Sequence, residues 1–155
     1  MLILAIDPGA TGAIAMQCDC HDNPPVCVKM PKERQDIREL FSGIARTGAL
    51  QHGKVVAVVE QIGTVAFGSN SPASISILNR HVGHIEMALD IAHIEFTEVR
   101  PRTWMKPLHP LPKGYSERKR AIKDAMQIAY PDTKVTLWNA DALGILNYYN
   151  NKKGK

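Results

Sequence analysis

The chain has 155 residues, of which 45% are hydrophobic and 22% charged, so one domain with a buried core is expected and a disordered or fibrous protein is excluded. No run of about 18 apolar residues occurs, and the first residues lack the pattern of a signal peptide, so we expect a cytoplasmic protein. Residues 1–99 contain 7 Lys or Arg and 11 Asp or Glu, whereas residues 100–155 contain 12 and 4, giving net charges of −4 and +8. This asymmetry suggests a surface that meets a polyanion such as nucleic acid, although a solvated lysine-rich face would give the same pattern.

The first half of the chain predicts four strands and one helix. Apolar runs bounded by turn residues predict strands at LILAID (2–7), AIAM (13–16), VCVKM (26–30) and KVVAVVE (54–60). The short connections between the first three favour an antiparallel meander. Residues 33–50 have helical periodicity.

The second half predicts a long helix, a fifth strand and two closing helices. The helix, 73–92, has two apolar stripes, which indicates either a central position in one domain or burial of one face against a partner. A strand follows at 93–99, then a proline-rich basic connection at 100–115 that contains Trp104. We expect helices at 116–130, with Ser116 as N-cap, and at 140–149. The result is a single α/β domain over 1–150 with a mixed sheet, followed by a disordered basic tail at 151–155.

Three acidic residues stand at the ends of apolar segments. Asp7 ends the first strand, Glu60 ends the fourth, and Asp141 begins the last helix. An isolated charge is costly in such surroundings, and several carboxylates together need cations. Mg²⁺ or Mn²⁺ would satisfy them, and two such ions about 3.5–4 Å apart can promote phosphodiester hydrolysis. The turn PGATG after Asp7 leaves room for a phosphate, or is only a tight hairpin.

The order of these motifs resembles the RuvC family of Holliday-junction resolvases, in particular its compact bacteriophage members. The resemblance covers nearly the whole chain through LAIDPGATGAIA, VVEQIG, PRTWMKPL, the basic helix ending in YP, and NADALGIL. It implies a ribonuclease H-like fold with a five-stranded mixed sheet, flanked by helices, whose first three strands are antiparallel and whose other two are parallel to the first. It also implies a homodimeric Mg²⁺-dependent endonuclease, with Mn²⁺ as substitute and two ions per site, that resolves four-way junctions and other branched DNA in recombination and repair. For a phage-encoded protein the compartment is the host cytoplasm.

The resemblance also assigns the site residues. Asp7, Glu60 and Asp141 match the catalytic, metal-binding acids, and Lys119 matches a basic position near the metals. The family's fourth ligand, an Asp or His three residues before the last aspartate, is replaced by Trp138, which cannot ligate. Asn139 is a weak substitute through its carbonyl, and Asp132 is another.

The remaining assignments concern DNA and dimer contacts. Phe67, in the loop after Glu60, would be a wedge or stacking residue at the junction centre, or a hydrophobic plug. Trp104 is expected in the core or as an anchor of the basic connection. The candidate phosphate contacts are Arg100, Arg102, Lys106, Lys113, Arg118, Lys119, Arg120 and Lys123. The expected dimer-interface residues on the long helix are Leu78, Val82, Ile85 and Leu89.

Three other functions are compatible with parts of the pattern. Trp138 favours a junction-binding protein of the same fold that cleaves weakly. A YqgF-like nuclease acting on RNA would share the fold. An actin-like ATP-binding domain has a similar glycine turn, but the chain is short for a protein that closes over a nucleotide. The complete set of Asp7, Glu60 and Asp141 favours the nuclease.

Overall fold

The computed structural model describes residues 1–19, 23–62 and 71–153 as a five-stranded sheet with helices on both faces. The strands are β1 (Leu2–Asp7), β2 (Ala13–Cys18), β3 (Val26–Lys29), β4 (Val55–Glu60) and β5 (Glu95–Val99). The helices are α1 (Arg34–His52), α2 (Pro72–Ile91), α3 (Pro101–Met105), α4 (Tyr115–Ala129) and α5 (Ala140–Lys153), with a 3₁₀ turn at Lys106–Leu108. Within the described ranges, none of these helices has the length and apolar character needed to cross a membrane.

The sheet has the strand order β3-β2-β1-β4-β5. β1 pairs antiparallel with β2, and β2 pairs antiparallel with β3. β4 pairs parallel with β1, and β5 pairs parallel with β4. The predicted mixed sheet, with three antiparallel strands and two strands parallel to the first, is therefore confirmed.

Alternation along the strands divides the core into two layers. Leu4 and Ile6 point to one face and are buried with Phe41 of α1 and Leu89 of α2. Ile3 and Ala5 point to the other face and are buried with residues of α3, α4 and α5. Continuing the same alternation, Asp7 belongs to the α3–α5 face, so one layer contains the candidate acids.

Several helix boundaries differ from the predictions. Ser71 caps α2 through its hydroxyl, which accepts a hydrogen bond from the Ser74 amide at 3.2 Å, and Pro72 follows as the first helical residue. Ser116 was expected to cap α4, but the helix begins at Tyr115 with Gly114 as N-cap and no side-chain cap. The connection 100–115 contains α3 and the 3₁₀ turn, which hydrophobic periodicity did not reveal because both are very short. α5 extends to Lys153, so residues 151–153 are helical where a disordered tail was expected.

The expected dimer face of α2 points into the domain. Ile85 and Leu89 are 0% exposed in the core under this helix, and Leu78 and Val82 are only half-buried beside them. The prediction selected the inward stripe because it is the more regular of the two. Outside this buried stripe, Ile77, Met87 and Ile91 are exposed and lie on one side of α2.

Candidate active site

The candidate acids come from three elements that meet at one end of the sheet. Ile6 of β1 is in register with Val59 of β4, so Asp7 and Glu60 follow side by side at the carboxyl ends of two parallel strands. Asp141 lies in the first turn of α5, which packs on β1. All three side chains are partly buried. The predicted site residues Asp7, Glu60 and Asp141 therefore lie in one region, and their charges act on one another.

The turn after Asp7 is held both locally and from a distant helix. A Cβ atom at Gly12 would lie 2.0 Å from the Asp7 carbonyl oxygen, so no other residue fits without moving the strand end. The Gly9 amide donates to Nδ1 of His81 at 3.3 Å. The other ring nitrogen, Nε2, lies 3.0 Å from the Pro31 carbonyl oxygen and donates to it when Nδ1 is the acceptor. His81 therefore ties the turn to α2.

Lys119 forms an ion pair with Asp141. Its Nζ atom donates to Oδ2 of Asp141. Lys119 is on the same stripe of α4 as the buried residues Ile122 and Met126, and this stripe directs it inward. Burial alone would lower the pKa of the Lys119 ammonium, but the Asp141 carboxylate, through its charge and its hydrogen bond, and the Asp7 charge raise it. Lys119 is therefore a fixed positive charge among the acids.

The other two carboxyl groups are in surroundings that oppose ionisation. Burial raises the pKa of Asp7 well above its ordinary value, and the charges of Glu60 and Asp141 raise it further, while Lys119 lowers it. Burial also raises the pKa of Glu60, to about 7, against a lowering contribution from its hydrogen bond with Trp104. A single lysine does not offset three acids, so the site favours additional positive charge.

Trp104 belongs to this site, although the sequence does not assign it there. Its indole Nε1 donates to Oε1 of Glu60 at 2.8 Å, and the ring is 2% exposed. Its predicted position in the core is correct, but its contact with a candidate ligand was not foreseen. The signal was available in principle, because a buried indole N–H needs an acceptor and Trp104 follows the strand next to Glu60.

Asn139 and Trp138 have other contacts. Oδ1 of Asn139 accepts hydrogen bonds from the Thr136 amide at 2.8 Å and the Thr136 hydroxyl at 3.2 Å, and its Nδ2 donates to the Lys134 carbonyl at 3.1 Å. The amide thus orders the loop before α5. The Trp138 ring lies under the Lys29 ammonium, 5.8 Å from its centroid. Asp132, the other suggested substitute ligand, is exposed.

The candidate phosphate contacts differ in their partners and in their exposure. Arg100 directly follows β5 and donates through Nε to Oε1 of Gln61, the residue after Glu60, at 3.0 Å. Arg118 stacks over the ring of Tyr115 at 5.9 Å. Lys123 pairs with the neighbouring Asp124. The remaining candidates are exposed, namely Arg102, Lys106, Lys113 and Arg120. Phe67 lies outside the described residues.

The donor set suits a hard divalent cation in its chemistry. Three carboxylates supply the oxygen ligands that Mg²⁺ and Mn²⁺ prefer. Oδ1 of Asp141 is buried and has no hydrogen-bond partner within the described part of the chain. Among residues 1–19, 23–62 and 71–153, no three His, Cys, Asp or Glu side chains already stand as a metal-binding group. The chemistry of these residues therefore suits a divalent cation. Such an ion would share the Asp141 carboxylate with the Lys119 ammonium.

Two solved structures match the fold of this chain over almost its full length. The Thermus thermophilus RuvC structure matches with a TM-score of 0.59 and 15% sequence identity, over 99% of this chain and 97% of that chain. A structure of T. thermophilus RuvC in complex with Holliday junction substrate matches with a TM-score of 0.57 and 15% identity, over 98% and 96%. No family model and no curated protein sequence matches the chain. The chain therefore has a RuvC-like, ribonuclease H-like fold, as the motifs predicted, while the similarity to bacteriophage members remains a prediction.

Proposed function

We propose that this protein is a metal-dependent endonuclease that cuts four-way DNA junctions by hydrolysing phosphodiester bonds. The observation that carries the proposal is the convergence of Asp7, Glu60 and Asp141 with Lys119 at one end of a RuvC-like fold. T. thermophilus RuvC, which has the same fold, forms a complex with a Holliday junction substrate. The basic carboxyl-terminal third supplies phosphate contacts around the acids.

In this proposal Asp7, Glu60 and Asp141 hold Mg²⁺ or Mn²⁺. When bound, such an ion lowers the pKa of a coordinated water and stabilises the leaving oxygen of the phosphodiester. Lys119 holds a positive charge beside Asp141 and offsets the negative charge that develops on the phosphate. Arg100, placed beside the Glu60 end of β4 through Gln61, orients the DNA backbone. Asn139 is left out of the ligand set because the loop 134–136 uses both ends of its amide.

The proposal includes a homodimer, because two active sites related by symmetry would match the approximate two-fold symmetry of a four-way junction. The exposed apolar stripe of Ile77, Met87 and Ile91 on α2 is the surface we assign to this contact. Met87→Arg should convert a dimer into monomers in sedimentation velocity, whereas Leu50→Arg, on the exposed side of α1, should not. A wild-type protein that sediments as a monomer at micromolar concentration would contradict this part of the proposal.

The cleavage test uses a labelled synthetic four-way junction and a linear duplex of the same sequences. We expect paired nicks near the crossover of the junction with Mg²⁺ or Mn²⁺, and none with EDTA or with the linear duplex. Asp7→Asn should reduce cutting by about 1,000-fold or more, while Asp90→Asn, an exposed acid on α2, should cut like the wild type. Equal cutting of both substrates, or a fully active Asp7→Asn variant, would contradict the proposal.

A junction-binding protein with weak cleavage is the second candidate. Two contacts favour it. The ion pair with Lys119 engages Asp141, which would otherwise be free to bind a metal ion, and Trp138, at the position of the family's fourth ligand, contacts Lys29 and supplies no ligand. Native gels run beside the cleavage assay separate the two functions. Tight junction binding without nicks under either metal would favour the binder, and Trp138→Asp and Trp138→His would then test whether an added ligand restores cutting.

A further inference from the structure

Trp104 connects one candidate ligand, Glu60, to the helix that bears another, Asp141. It belongs to the short helix α3, which begins two residues after β5 ends, and its ring is buried with residues of α4 and α5. Its Nε1 donates to Oε1 of Glu60 at 2.8 Å. The indole thus joins the end of β4 to the layer of helices that contains Asp141.

The surface of α5 is shaped to receive this ring. A Cβ atom at Gly144 would lie 2.6 Å from Cζ3 of Trp104, a distance that side chains do not tolerate. Gly144 is three residues after Asp141, so it lies on the neighbouring turn of the same face of α5. Two contacts therefore determine the position of the indole. Its six-membered ring packs closely on α5, the helix that bears Asp141, and its N–H donates a hydrogen bond to Glu60.

The chemistry of the donor matters as much as its position. An indole N–H donates one hydrogen bond and has no charge, so it engages one oxygen of Glu60 without neutralising the carboxylate. Lys119 differs, because its ammonium neutralises the charge of Asp141 while it forms its hydrogen bond. The hydrogen bond from Trp104 therefore adds no compensating charge to the Glu60 carboxylate, and it engages only Oε1, so Oε2 is left for another partner.

We propose that Trp104 is a positioning residue that holds the Glu60 carboxylate in the orientation required to bind a divalent cation. The inference rests on the proposed function only for the reaction that the metal would promote. The orientation of the Glu60 carboxylate by Trp104 can be tested without that reaction. Hydrogen-bond partners of metal ligands orient the ligand, and their removal typically costs about 10–100-fold in metal affinity or activity. Trp104→Phe keeps an aromatic ring and removes the donor, but it also removes ring volume beside Gly144, so its effect is compared with that of the same substitution at Trp138.

The kinetic test compares Trp104→Phe with Trp138→Phe. The control makes the same substitution at Trp138, which is half-buried and has no hydrogen bond with Glu60 among the described residues. We expect Trp104→Phe to lower kcat on the four-way junction about 10-fold or more, with KM within twofold of the wild type. Trp138→Phe should leave both constants unchanged. Should Trp104→Phe fail to fold, Gly144→Ala displaces the ring while leaving all donors in place.

Two measurements without DNA make the test independent of cleavage. Calorimetric titration with MnCl₂ should show about 10-fold weaker binding to Trp104→Phe than to Trp138→Phe. The chain has two tryptophans, so its ¹H–¹⁵N spectrum has two indole signals, which the Phe variants assign. On titration with MgCl₂ the Trp104 signal should shift in the wild type, and in Glu60→Gln that shift should be lost.

Each outcome separates the inference from the proposed function. A wild type that binds Mn²⁺ but does not cut junctions contradicts the proposed function, and the weaker Mn²⁺ binding of Trp104→Phe would still support the inference. A Trp104→Phe variant with reduced Tm but with the Mn²⁺ affinity and kcat of Trp138→Phe would overturn the inference, since Trp104 would then be structural alone. A wild type that binds no divalent cation and cuts nothing overturns both.

Discussion

The two faces of the central sheet are made by the same strands but differ in the size and polarity of their side chains. The face under α1 and α2 is filled by large apolar residues such as Leu4, Ile6 and Phe41. The face under α3, α4 and α5 has alanines on its strands, Ala5, Ala13 and Ala15, and ends in acids. Small residues let a helix approach the sheet closely, and α5, which packs on β1, also begins with buried alanines.

This difference concerns two requirements that compete, namely the stability of the fold and the assembly of acidic side chains in one place. Burying charges next to one another costs stability, so a protein that assembles acids on one face needs compensating apolar burial elsewhere. Both faces supply apolar burial, but only the α3–α5 face also contains the acids. We therefore expect mutations of apolar residues on the α1–α2 face to change stability without changing activity, and mutations of the polar site residues on the α3–α5 face to change activity.

The largest effect is expected from Leu4→Ala on the α1–α2 face. Leu4 is fully buried, and truncating such a residue typically costs about 2–5 kcal/mol of unfolding free energy. Urea denaturation measures this loss, and kcat per folded molecule should remain that of the wild type. Leu50→Ala, at an exposed leucine of α1, should change stability by less than about 0.5 kcal/mol. A reduced kcat with unchanged stability in Leu4→Ala would contradict the division between the faces.

Lys119→Gln should have the largest effect on activity after the loss of cutting expected for Asp7→Asn. Removing the charge paired with Asp141 should lower junction cleavage about 100-fold, because in the proposed mechanism this charge offsets the negative charge that develops on the phosphate. The matched control is Arg120→Gln, which removes the same charge from the next residue, an exposed one. Single-turnover cleavage at saturating junction compares them. Equal losses in the two variants would mean that both residues act only through long-range attraction of DNA.

Asp7→Asn should make the metal-free protein more stable. Its burial and the nearby Glu60 and Asp141 charges oppose ionisation of Asp7, so a neutral amide of similar size should raise the unfolding free energy by about 1 kcal/mol at pH 7 in EDTA. Addition of Mg²⁺ should raise the Tm of the wild type but not that of the variant, since a ligand stabilises only a protein that binds it. Thermal melts in both buffers measure this, and an equal Tm increase in both proteins would exclude Asp7 as a ligand.

Arg100→Gln should have the smallest effect. One lost phosphate contact should weaken junction binding by a few-fold and reduce the slope of log K against log salt by about 1. Arg46→Gln, on α1 over the opposite face, should leave the slope unchanged. Fluorescence anisotropy at several salt concentrations measures both. A slope change in Arg46→Gln alone would place the DNA on the other face.

The sequence predicted the sheet and its acids because both depend on local patterns. In the strands that end in Asp7 and Glu60, successive side chains point to opposite faces of the sheet, so the sequence determines which face each residue is on. The order of the elements restricts the topology. The inward direction of Leu89 was missed because α2 has two apolar stripes and only the tertiary structure decides which one is buried. The Trp104–Glu60 bond joins residues 44 apart, a distance at which no spacing rule applies.

The contact of His81 with the turn after Asp7 joins residues 72 apart in the chain. The same imidazole reaches Pro31, 50 residues away, so three distant segments meet at one ring. A hairpin excised from this protein would contain the Asp7 turn but lack this support. This part of the support for the turn is therefore acquired only when α2 docks, and an opening fluctuation that detaches α2 would remove it in the same event.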